Sequence, residues 1–108
     1  MISNELYQSI CILDNDTCKD IANTLKSNSN NLVITGFLPD QSFANGYLKA
    51  TNLIIKLLLS DSNDKEGTLK QINETDLSEY LHHSCKSSFN RGFTQVINQL
   101  NLEIKNCN

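Results

Sequence analysis

Pro39 to Ser60 reads PDQSFANGYLKATNLIIKLLLS, and the spacing of its polar residues decides the fold. Gln41, Asn45, Lys49, Asn52, Lys56 and Ser60 recur at steps of four or three, so on a helix they form one narrow stripe. Phe43, Ala44, Tyr47, Leu48, Ala50, Leu53, Ile54, Ile55, Leu57, Leu58 and Leu59 take most of the remaining circumference. A helix that is apolar nearly all round is one surrounded by protein. The reading is therefore a central helix over 41–60, with Asp40 as its N-terminal cap. Two lysines on the polar face are too few for a helix lying on a membrane surface.

Other elements follow by working outward. Ser3 is placed to cap a short helix carrying Ile2, Leu6, Tyr7, Ile10, Cys11 and Leu13. Asp14 is placed to cap a second, in which Cys18, Ile21, Ala22 and Leu25 fall at i, i+3, i+4 and i+7, with Leu13 and Cys18 at the positions of a hydrophobic staple. SNSNN, 27–31, reads as a polar loop. Leu32 to Phe37 is the one stretch of strand-like composition, and with no second strand to pair with it reads as an extended or single-turn segment packed on the core.

Downstream, DSNDKEG (61–67) reads as an acidic, turn-rich connection before a short helical stretch around Leu69 and Ile72. Asp76 and Glu79 have capping-box spacing and start another helix. At about 100° per residue, Leu77, Tyr80, Leu81, Ser84 and Cys85 centre on one direction, whereas Phe93, Val96, Ile97, Leu100 and Ile104 centre roughly 150° away. A break or bend in Ser87 to Gly92 reconciles the two faces. The expectation is an all-α fold: one domain over 1–108, a bundle of about five helices.

Composition excludes several functions. At 39% apolar residues, four glycines and one proline, the chain can form a modest core without being loop-dominated. The abundance of asparagine and serine, and of lysine over arginine, is a composition bias that carries no chemistry. A net charge of -3 with scattered cations argues against direct nucleic-acid binding. The most apolar run, Leu53 to Leu59, is interrupted by Lys56 and falls far below the roughly 20 residues of a membrane span. No cationic leader opens the chain, so the expected location is cytoplasmic, with Cys11, Cys18, Cys85 and Cys107 reduced.

One stretch invites chemistry. EYLHHSC, Glu79 to Cys85, holds both histidines of the chain. On a helix His82 and Cys85 share a flank, half of a zinc site or a thiol–imidazole pair, while His83 points elsewhere. A structural zinc site needs four ligands and a catalytic one three, and no spacing in the chain supplies the others. These residues read as the polar shoulders of an amphipathic helix, Cys85 as a small core residue, and the chain as a non-enzyme without metal or cofactor. Glycine-rich phosphate loops, GxSxG and HExxH are absent.

What remains is a surface. Asp61, Asp64, Glu66, Glu74, Asp76 and Glu79 face two lysines between positions 61 and 79, and Asp14, Asp16 and Asp20 form a second acidic group. Such clusters speed encounter with a basic partner. A small, acidic, helical chain of this kind resembles, in general character over its whole length, the bacterial immunity proteins that neutralise toxins delivered by neighbouring cells, including those of contact-dependent growth inhibition. The resemblance implies an inhibitor that covers the active site of a cognate toxin, often a basic nuclease. It transfers no residue roles. The competing expectations are a homodimeric regulatory or anti-defence protein, paired through the central or carboxyl-terminal helix, and a metal-dependent enzyme using His82 and Cys85.

Overall fold

The computed structural model describes residues 2–33, 35–74 and 83–107. Five helices run through them: α1 (Asn4–Cys11), α2 (Asn15–Asn30), α3 (Leu38–Leu59), α4 (Ser62–Asn73) and α5 (His83–Asn106). The all-α expectation holds, and α3 is the central helix, touching α2, α4 and, most extensively, α5. At about 1.5 Å per residue the 22 residues of α3 and 24 of α5 span roughly 35 Å. They set the long dimension of a 40 × 26 × 18 Å body.

Two glycines determine how these long helices meet. A Cβ on Gly46 would overlap the Phe89 carbonyl oxygen and sit 2.8 Å from its carbon. A Cβ on Gly92 would overlap the Phe43 carbonyl oxygen and stand 3.0 Å from the Tyr47 nitrogen. The pairs 46 with 89 and 43 with 92 meet across the two helices. Each glycine presents a Cα–H where a side chain would begin, aimed at the other helix's carbonyl. Such Cα–H···O contacts contribute perhaps 0.5–1 kcal/mol each. Ser42, Gly46 and Ala50 at four-residue steps on α3, and Ser88 and Gly92 on α5, are all buried and supply the low relief the approach needs.

That contact corrects the expected break at Ser87 to Gly92: α5 is continuous through it. Phe89, only 1% exposed, extends the stripe of Phe93, Val96, Ile97, Leu100 and Ile104 backward through the supposed bend. Gly92 is there for close packing and not to interrupt the helix. The helix start expected at Asp76 and Glu79 lies outside the described residues.

Caps at the amino-terminal end match expectation. The Ser3 hydroxyl accepts from the Leu6 N–H at 3.2 Å and the Asp14 carboxylate from the Thr17 N–H at 2.7 Å. At α3 the expected cap is wrong. Helix begins at Leu38 with Phe37 in the cap position, because Pro39 in the first turn has no N–H to satisfy and a φ already suited to helix. Asp40 lies inside that turn and accepts instead from the Thr35 hydroxyl at 2.7 Å. Two further corrections concern 27–31 and 61–67: α2 runs on to Asn30 through the stretch expected to be a loop, with Ser29 buried and its hydroxyl on the Lys26 carbonyl, and 61–67 is largely helix. The Asp61 carbonyl accepts from the Asp64 and Lys65 N–H groups at 3.0 and 3.2 Å, opening α4 immediately after α3.

Polar contacts hold α4 at both ends. The Lys65 ammonium donates to the carbonyls of Leu57 and Ser60 at 3.2 and 2.6 Å, satisfying C-terminal acceptors of α3. At the other end the Asn73 side-chain oxygen accepts from the Ile2 N–H at 2.9 Å, and its nitrogen donates to the Ile2 carbonyl at 3.5 Å. Thr68 and Ile72 are buried between these anchors, and Ile72 joins the core.

Gly46→Ala or Gly92→Ala is expected to cost about 3 kcal/mol or more, because backbone rather than a flexible side chain stands in the way. Gly67 in α4 has nothing within 4 Å, so Gly67→Ala should stabilise by about 1 kcal/mol. Urea unfolding of the three variants checks both signs. Thr51 and Thr68 give their hydroxyls to the carbonyls of Tyr47 and Asp64, whereas the buried Ser42 Oγ has no hydrogen-bond partner among the described residues. Ser42→Ala should therefore raise the unfolding midpoint, by about 1 kcal/mol in stability.

Candidate functional site

The acidic residues singled out in sequence fall on two helices whose amino-terminal turns lie at one end of the molecule. Asp61, Asp64 and Glu66 are exposed on the first half of α4, and Asp14, Asp16 and Asp20 on the start of α2. An open cleft of about 420 Å³, lined by Asn15, Lys19, Leu58, Leu59, Ser60 and Asp61, brings α2 up to the junction of α3 and α4. Of the acidic residues Asp61 alone lines it, while α2 contributes Asn15, which stands between Asp14 and Asp16 in sequence, and Lys19. Glu74 lies at the far end of α4 and forms an exposed ion pair with Lys70 at 3.9 Å, worth little in water. Asp76 and Glu79 lie outside the described residues.

Two cations offset part of the charge at this end: Lys65, whose ammonium donates to α3 carbonyls, and Lys19, exposed beside the cleft. Lys56 donates to the Gln71 side chain at 3.3 Å. The Asp14 carboxyl is held below the usual carboxylate range by its hydrogen bonds from Thr17, so it stays ionised. Its folded pKa is depressed, so its stabilising contribution is present above the unfolded value and is lost as pH falls through the folded one.

Of EYLHHSC, residues 79–82 lie outside the described residues, as do the side chains of His83 and Cys85. Among the described residues no three His, Cys, Asp or Glu side chains converge in a way that would hold a metal ion. Among the same residues no helix is long and apolar enough to cross a membrane.

A surface that sequence reasoning assigned to the core is instead open. Leu32 packs on the core, but Val33 is 82% and Phe37 64% exposed, and Leu38 is exposed beside them. The Thr35 hydroxyl accepts from the Phe37 N–H, and the Thr35 carbonyl from the Gln41 side chain. These bonds and that to Asp40 tie the connection to the first turn of α3 and leave Val33 and Phe37 pointing outward. Leu59, read as apolar lining, is also exposed, as is Cys11.

Comparison with protein-family models, with curated proteins and with solved structures found no match to this chain.

The cysteines give a direct check on burial. Cys18 is 4% exposed, and burial pushes its thiol pKa up against the opposing charge of Lys65. Cys11 and Cys107 are exposed. Iodoacetamide at pH 8 should alkylate Cys11 and Cys107 in the native protein and modify Cys18 on the order of 100-fold more slowly, through opening of the core. Peptide mapping by mass spectrometry reads each site separately.

Proposed function

We propose that this chain is an immunity-type inhibitor that binds a cognate protein toxin with a basic surface, a nuclease domain above all, and covers its active site. The observation carrying the reading is the meeting of the acidic starts of α2 and α4 at one end, where Lys65 is turned inward. Two helices braced on α3 give those carboxylates a fixed spacing, and fixed charge of one sign steers an oppositely charged partner and sets its register. Nucleases present cationic surfaces to phosphate, so a rigid acidic face of similar breadth competes for the same ground.

A homodimeric regulatory or anti-defence protein is the second reading. The faces of α3 and α5 first considered for pairing are buried against each other, but exposed Val33, Phe37 and Leu38 offer another apolar contact. Mass measurement in solution separates the two, since a monomer with a tight one-to-one toxin complex contradicts the dimer.

Asp16, Asp20, Asp61, Asp64 and Glu66, replaced together by Asn or Gln, leave the core and the Ser3 and Asp14 caps untouched, and Asp61, the cap residue of α4, makes no side-chain cap bond and becomes Asn, itself a good cap. Against a basic toxin domain found in the neighbouring reading frame, association at low salt is expected to slow at least about 10-fold while the unfolding midpoint holds, and the absence of any such neighbour counts against the reading. An unchanged association rate and full protection of cells would sink the inhibitor reading.

A further inference from the structure

Asn45 and Gly46 form the one Asn-Gly pair of the chain, and they stand in the middle of α3. Such a pair ordinarily marks a turn, and glycine is a poor residue for a helix interior. Gly46 is there because the Phe89 carbonyl of α5 takes the place a Cβ would fill. Asn45 is exposed on the polar stripe, between Gln41 and Lys49.

Asparagine followed by glycine is chemically labile, since the glycine amide nitrogen can close a five-membered ring on the asparagine side chain with no Cβ to hinder it. A helix forbids that ring closure. Every Cα–Cβ bond of a helix leans toward its amino terminus, so the Asn45 side chain is carried away from the nitrogen that follows it. In the α-helical pattern the Gly46 N–H also belongs to the Ser42 carbonyl. Both restraints end only when α3 opens at its middle, where it is buried against α5, so the opening that frees the pair is that of the core itself.

We infer that Asn45-Gly46 is a latent deamidation site, shut in the folded protein, by which chains that have unfolded are marked and kept from returning. The Gly46 nitrogen gives its proton to hydroxide and bonds to the Asn45 side-chain carbonyl carbon. The bond from that carbon to the amide nitrogen breaks, and ammonia leaves after taking a proton from water. Water then opens the cyclic imide at one carbonyl or the other, giving aspartate or isoaspartate at position 45. The two products have opposite fates. Aspartate keeps the main chain as it was, and its charge stands one turn from Lys49, a favourable pairing. Isoaspartate routes the main chain through an extra carbon, which shifts Gly46 out of line with the Phe89 carbonyl and breaks the contact that joins α3 to α5. The inference rests on the packing of α3 and not on any partner.

The test compares the full chain in buffer with the same chain unfolded in urea at one mildly alkaline pH, by peptide mapping of α3 with isoaspartate scored separately by enzymatic methylation. Deamidation at position 45 is expected to be at least about 1,000-fold slower in buffer, because a slow reaction of the opened form follows its equilibrium population. Among wild type, Ser42→Ala and Gly92→Ala, the rate in buffer should be lowest for the chain with the largest measured unfolding free energy and highest for that with the smallest, while the three rates in urea agree. After removal of urea, the refolded fraction should hold asparagine and aspartate at position 45, and the unfolded fraction the isoaspartate. Asn45→Gln, whose longer side chain closes a less favourable ring, should refold fully after the same treatment. Comparable rates in buffer and urea, rates in buffer that ignore the stability order, isoaspartate in the refolded fraction, or incomplete refolding of Asn45→Gln would overturn the proposal.

Discussion

The fold depends on one contact, the reciprocal approach of two helix backbones at Gly46 and Gly92. Everything in the core is arranged around the separation it permits. With the helices this close, Phe89 and Phe93 of α5 lie among the buried side chains of α3, and Tyr47, Ala50, Ile54, Val96 and Leu100 are sealed from water. Burial of that kind is the main favourable term in folding. It is available here only because neither glycine carries a side chain. The same carbonyls that would collide with a Cβ lie along the path of a Cα–H, so the constraint also contributes an attraction.

Around this pair the shorter helices are attached by different means. α2 is held by apolar burial, with Cys18, Ile21, Ala22 and Leu25 all in the core. α4 has little apolar surface to give and is fastened by polar groups at its two ends, Lys65 on α3 and Asn73 on Ile2. α2 shows that one helix can expose carboxylates and bury an apolar stripe together. In α4, where the stripe is short, side chains reaching into backbone groups complete the attachment.

Much of this was legible in sequence because it rests on local periodicity. The polar stripe of 41–60, the pattern of α2 and the Ser3 and Asp14 caps each lie within one or two turns, and their readings hold. What failed depended on groups distant in sequence. Ser88 and Gly92 look like helix breakers until Gly46 is placed opposite them. Small residues at four-residue steps, Ser42 to Ala50 and Ser88 to Gly92, were the available signal. Phe89, at 1% exposed, belongs to the stripe of Phe93 to Ile104 and carries it back through the segment read as a break. Residues 61–67 looked like a turn because Lys65 gains its partners only from the end of another helix. Val33 and Phe37 were assigned to the core on composition, and composition says nothing of which way a tethered connection points. The two acidic groups were visible singly, and the placing of their helix starts at one end was not.

The Asn73 clamp has a practical reach. Ile2 is buried and its main chain is held by the last turn of α4, so the first residues of the chain and the acid-bearing helix share one attachment. An affinity tag or fluorescent fusion at that end would pull on α4 directly. At the opposite terminus Cys107 is exposed, one residue beyond α5. A fusion placed there loads a helix seated along its length on α3, and is the better handle for any measurement meant to leave the acidic end undisturbed.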